Sequence, residues 1–181
     1  MSYEIEHHNH RLAAWAASTS ASASPVCRFK VEHGVSILES CGFTPVNFAD
    51  KESLPAPAAL DDTHSNWRAS ILRAAHEKQL NFTHGIAAKL INCYLKVRFV
   101  CAGFHLDKKV QALHPPIDAL LLDSLARNNY AGRGPAWRDF HQKRWSKFDS
   151  DTYAAVIDLI RETLPQGEPL WKIEEHWEGH Q

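Results

Sequence analysis

Residues 85–103, GIAAKLINCYLKVRFVCAG, constrain this chain more than any other stretch. Ile86, Leu90, Cys93, Val97 and Cys101 recur at the three-to-four spacing of a buried helical stripe, and no proline interrupts them. Such a helix needs other elements to cover its apolar side, and the rest of the chain offers more helices. Residues 8–23, rich in alanine, predict a helix anchored by Leu12, Trp15 and Ala16. Residues 29–41 predict a second, with Val31, Val35 and Leu38 inward and Gly42 as its stop. Three prolines mark 44–60 as a loop. Residues 61–80 open on acidic residues and carry Trp67, Ile71 and Ala74 on one face, a further helix. The pattern returns over 149–164, capped by Asp149 and Ser150, and residues 168–179 predict a short helix pinned by two tryptophans. No segment alternates as a strand does and none repeats another. The expectation is an all-α, single-domain chain of two lobes, residues 1–60 with the C-terminal helices forming one and 61–130 the other.

Composition narrows the function classes. With 181 residues and a 44% hydrophobic fraction the chain can bury a real core. Cys27, Cys41, Cys93 and Cys101 form no CxxC pair, which disfavours zinc ribbons and iron–sulfur clusters and suits reduced thiols. Every apolar run is broken by charge, and MSYEIEHHNH is acidic and polar rather than a secretory signal. These features lead us to expect a cytoplasmic protein with no membrane partner. A net charge of −1 is neutral on nucleic acid, so only a local patch could argue for it.

Two clusters of chemistry-bearing residues stand out besides the long helix. His64 with Asp61 or Asp62, and His76, have types that could ligate a metal in a helical core. No HD dipeptide and no HExxH occurs, so no metal and no cofactor is expected. In RGPAWRDFHQKRWSK, 133–147, the basic residues Arg133, Arg138, Lys143, Arg144 and Lys147 interleave with Trp137, Phe140 and Trp145. Basic groups neutralise phosphates while aromatics stack on bases or wedge into a step, so this segment reads as a DNA face. It reads equally as a solvated segment whose tryptophans return to the core.

HPPID, 114–118, poses the sharpest question. Pro115 and Pro116 offer no backbone donors and bring the chain in extended, so a helix starts at about Asp118, whose carboxylate can cap it. GIAAKLIN followed by PID also resembles the helix-hairpin-helix DNA glycosylases, in which a glycine hairpin leads into a helix bearing a nucleophilic lysine and a Pro-x-Asp supplies the catalytic carboxylate. The resemblance covers about residues 82–125, and the hairpin FTHGIAAK lacks the family's leucine-proline opening and second glycine. It implies that Asp118 and Lys89 are catalytic, with Lys96 as an alternative nucleophile. His84, Gly85 and Lys96 would contact DNA together with the basic segment, and Trp137 and Trp145 would form the base pocket or wedge. The wider layout resembles a divergent bacterial set that includes anti-phage glycosylases acting on glucosylated hydroxymethylcytosine. The expected activity is excision of a modified base from flipped-out nucleotides in double-stranded DNA by a monomer, with an associated lyase step if Lys89 forms an imine. The rival reading is a non-catalytic helical DNA-binding or adaptor module.

Overall fold

The computed structural model describes residues 3–179, and among them every regular element is helical. In chain order these are α1 (Ile5–Ser22), α2 (Val31–Ser40), α3 (Leu60–Glu77), α4 (His84–Leu95), α5 (Lys108–Gln111), α6 (Ala119–Arg127), α7 (Gly134–Lys143) and α8 (Ser150–Thr163). Short 3-10 turns fill the gaps, the longest being Leu170–His176 near the C-terminus. The proline-rich stretch 44–60 is a loop with two such turns, as its composition predicts. The side chain of Arg98 ties it down from beneath, donating to the carbonyls of Phe48 and Ala49.

Buried apolar side chains gather in two clusters. One contains residues of α1, α2 and α3 together with Phe99, Val110 and Leu113. The other contains residues of α6, α7 and α8 with Leu170 and Ile173 of the C-terminal turn. This division falls mainly near residue 113, although Cys27 joins the C-terminal helices in the second cluster. Helix α4 serves both, giving Ala87, Leu90, Ile91 and Tyr94 to the first and Ile86 and Ala88 to the second. Every residue from Gly85 to Leu95 is therefore buried, and the stripe read from sequence becomes a whole circumference. The helix then widens into a π-helical stretch, Lys96–Phe104, and stops at Gly103, whose φ of 96° only glycine adopts readily.

Helix α1 departs from expectation in which face it buries. Leu12 and Trp15 are exposed, while Ala13, Ala14, Ala17 and Ala21 are fully covered. Small side chains let α1 lie close on its neighbours. At the α1–α2 contact a Cβ added to Gly34 would meet Ser18 Oγ at 2.5 Å. Large residues on that face would force the helices apart, so hydrophobicity alone points to the wrong side.

Candidate active site at the α4–α6 junction

Lys89 lies in the second turn of α4 and Asp118 sits just before α6, 29 residues later. The structure brings them together: Lys89 Nζ is 2.8 Å from Asp118 Oδ2. Asp118 Oδ1 accepts the Leu121 amide at 2.9 Å, so the carboxylate does cap α6, and its other oxygen is left for Lys89. Trp177, from the C-terminal segment, donates its indole N–H to that same Oδ2 at 3.0 Å. Capping and pairing are thus carried by different oxygens of one group. Burial pushes the Asp118 carboxyl up, but the charge of Lys89, the Leu121 amide and the Lys89 and Trp177 hydrogen bonds outweigh it and hold it below the usual aspartate range.

The pair faces a cavity of about 770 Å³, inside the roughly 300–1,000 Å³ span of small-molecule sites. Trp145 and Trp177 supply aromatic walls, and Lys89 Nζ stands 5.0 Å from the centroid of the Trp145 ring. Leu120, Arg144 and His141 line it as well, with Leu120 and Arg144 exposed. A smaller chamber shares Lys89, Asp118 and Trp177 and is closed off by Lys96 and Glu174. A buried carboxylate held beside an ammonium, between flat aromatic surfaces, can stabilise positive charge that develops on a bound ligand.

No family model matches the chain, and no curated protein or solved structure was found to be similar to it. Its chemistry is carried by its own geometry.

The remaining predicted residues divide. Gly85 is buried beneath the turn after α7: its N–H donates to the Phe148 carbonyl at 3.1 Å, and a Cβ there would meet Trp145 O at 1.8 Å. Its smallness allows backbone to approach backbone, so the phosphate contact expected of it has no free amide to use. The next amide, of Ile86, is taken by Thr83 Oγ1. His84 is half-buried nearby, and burial followed by the charge of Arg68 lowers its pKa. Lys96 pairs with Glu174 rather than standing free.

The segment 133–147 is mostly a helix, and its alternation of aromatic and basic residues is that helix's inside and outside. Trp137 is completely buried, its indole N–H donating to the Tyr130 carbonyl, so it is neither wedge nor pocket wall. Trp145 is buried too, and serves as wall rather than wedge. Arg133 lies 3.7 Å from Glu162 and Lys143 2.8 Å from Asp139, which partly cancels both charges. Arg138 is exposed on the outer face. Arg144 alone of the five basic residues lines the cavity, presented by a left-handed backbone with φ of 63° that non-glycine residues adopt at a cost.

Two site residues escaped the sequence reading. Trp177 lies 59 residues from the carboxylate it touches, and no local pattern links them. Leu120 was readable, being an apolar residue two positions after the capping aspartate on a helix whose core face begins at Leu121. His64, one of the histidines suspected of metal binding, does other work. His64 lies 4.5 Å from His114, ring centre to ring centre, inside a hydrogen-bonded cluster. No group of three or more possible ligands suited to a metal ion occurs among the described residues.

Proposed function

We propose that this protein is a DNA N-glycosylase that excises a modified base, and that Asp118 is its catalytic carboxylate. The observation that carries the reading is the buried Lys89–Asp118 contact facing a cavity walled by Trp145 and Trp177. Cleaving the bond between C1′ and the base leaves positive charge on the deoxyribose, and a fixed anion beside it lowers the barrier. Water then supplies the hydroxyl at C1′ and its proton goes to the departing base. The substrate must leave the helical stack to reach a group this deep, and the two tryptophan faces suit a flat ring. Lys89 holds the carboxylate in place and is the amine nearest the sugar. If its neutral amine attacks C1′ in place of water, the base departs with one amine proton, the other passes to O4′ as the C1′–O4′ bond opens, and the product is an imine between Nζ and C1′. Arg144 at the mouth would hold a phosphate next to the extruded nucleotide.

The resemblance of GIAAKLIN and PID to helix-hairpin-helix glycosylases supports the same assignment of Lys89 and Asp118. It extends to modified cytosines in phage DNA as the first substrates to try. The test is incubation of the whole chain with duplexes bearing modified cytosines and damaged purines, followed by alkali. Strand scission at the modified position supports the proposal, and binding without scission on every duplex favours the adaptor reading. Borohydride added during turnover distinguishes the nucleophiles: a covalent protein–DNA adduct that Lys89→Gln loses indicates the amine, and scission without an adduct indicates water.

A further inference from the structure

We infer that Asn92 is the positioning residue of the site, gripping the Pro115 carbonyl so that the 115–118 segment delivers Asp118 to Lys89. Asn92 is three residues after Lys89, so one turn of α4 carries both. Lys89 Nζ reaches the carboxylate at the end of the segment at 2.8 Å, and Asn92 Nδ2 reaches the carbonyl at its start at 2.9 Å. Residues 115–117 are buried, and of their backbone groups it is the Pro115 carbonyl that Asn92 holds. Pro115 and Pro116 have no N–H to donate, and Ile117 is held only by the packing of its side chain in the second cluster. Asn92 is 1% exposed, so its amide cannot turn to water instead.

Its neighbours fix which way that amide points. His64 Nε2 lies 2.7 Å from Asn92 Oδ1, and His64 Nδ1 lies 3.1 Å from a guanidinium nitrogen of Arg68. Arginine can only donate, so Nδ1 accepts and the ring proton sits on Nε2, directed at Asn92 Oδ1. Burial, with the charge of Arg68 beside it, keeps His64 neutral, as this arrangement requires. Nδ2 must therefore face the opposite way, where its two protons meet Pro115 O and Tyr153 Oη, each at 2.9 Å. The Tyr153 hydroxyl, having accepted, donates to His114 Nδ1 at 3.1 Å, and His114 Nε2 donates to Asp61 Oδ1 at 2.8 Å. His64 Nε2, Asn92 Nδ2 and the Tyr153 hydroxyl thus each donate to a named acceptor, and Arg161 stands against the far end at 3.3 Å from His114 Nε2. The chain touches the segment twice, at Pro115 and at His114 immediately before it. It touches neither Lys89 nor Asp118, so it acts on the pair only through the backbone between them.

This role rests on the Lys89–Asp118 pair being the working centre, but its test needs no substrate. The carboxyl carbon of Asp118 is titrated by NMR in the full chain. In Asn92→Ala the released segment should draw Asp118 away from Lys89, and its titration should move up toward the ordinary aspartate range. Tyr153→Phe keeps the Asn92–Pro115 bond and should leave the Asp118 titration near wild type. Ile71→Val, in the first cluster, loses thermal stability without touching the segment and should do the same. Asn92→Ser, too short to reach Pro115, replaces Asn92→Ala if that variant does not fold, with the same shift expected. If excision is found, Asn92→Ala should lower kcat about tenfold or more while KM and duplex affinity hold, because misplacement by about 1 Å is that costly. An Asp118 titration unchanged in a folded Asn92 variant overturns the role, whatever its melting temperature. Absence of excision by the wild-type protein overturns the glycosylase reading alone, and the titration still decides Asn92.

Discussion

Two regions of this chain carry concentrated charge, and the fold treats them oppositely. At the α4–α6 junction a buried lysine and a part-buried aspartate are paired and turned toward a cavity. Along 133–147 the basic residues stay in solvent and two of five are answered by nearby acids, while the aromatics between them sink into the core. Burying a charge is expensive unless it is paired, whereas exposed ion pairs contribute little. A chain that keeps the first arrangement has a reason beyond solubility. The second is what any amphipathic helix with a basic outer face looks like.

The comparison can be broken from either side. Asp118→Asn should have the largest effect, about a hundredfold or more on base release, since the anion at the reacting centre is gone. It should also destabilise the protein by about 3 kcal/mol in thermal or denaturant unfolding, because Lys89 is left buried without its counter-charge while the amide still caps α6. Acid should act in the same direction on the wild type. The Asp118 carboxyl titrates below its unfolded value, so its stabilisation is fully present above the ordinary aspartate range and is lost as pH falls through the depressed value. In Asp118→Asn the low-pH loss of stability should be correspondingly smaller. A variant as stable as wild type at neutral pH with the same acid limb would remove the distinction between the two regions.

Smaller effects sharpen the contrast. Arg144→Ala should weaken duplex binding and lower the salt slope by about one, while Arg133→Ala should change both much less, since Glu162 already offsets its charge. Equal losses would make the whole helix face a binding surface. Trp177→Phe keeps the aromatic wall but removes one donor to Asp118, for a loss of about 1 kcal/mol in stability and a modest fall in turnover. On α1, Trp15→Ala should change stability by under about 0.5 kcal/mol, while Ala17→Leu should cost about 1–3 kcal/mol by overpacking.

How much of this could be read from residue order varies with the range of the interaction. Helix positions and the all-α class follow from spacing and caps, and Asp118 was legible as a cap because prolines precede it and an apolar run follows. Its partner Lys89 was legible only through the resemblance, since it lies 29 positions away across a stretch that includes the π-helical turn. Packing faces were less legible. The alanines of α1 bury where Leu12 and Trp15 were expected, because close approach rewards small side chains, and α4 is covered all round because two clusters share it. Contacts that close over long separations left no local trace. Trp177 on Asp118 and the chain from His64 through Asn92 to His114 both depend on which helices meet, which spacing within one helix does not encode.

The central claim is that the Asp118 carboxylate performs chemistry on a nucleotide rather than merely capping a helix. The most direct measurement is alkali-revealed base release by wild type and Asp118→Asn, side by side, on whichever modified duplex the wild type cleaves, with duplex binding measured in parallel. The account predicts release by wild type, a loss of about a hundredfold or more in the variant, and similar affinity for DNA. Equal release by the two proteins would contradict it and leave Asp118 as a cap alone.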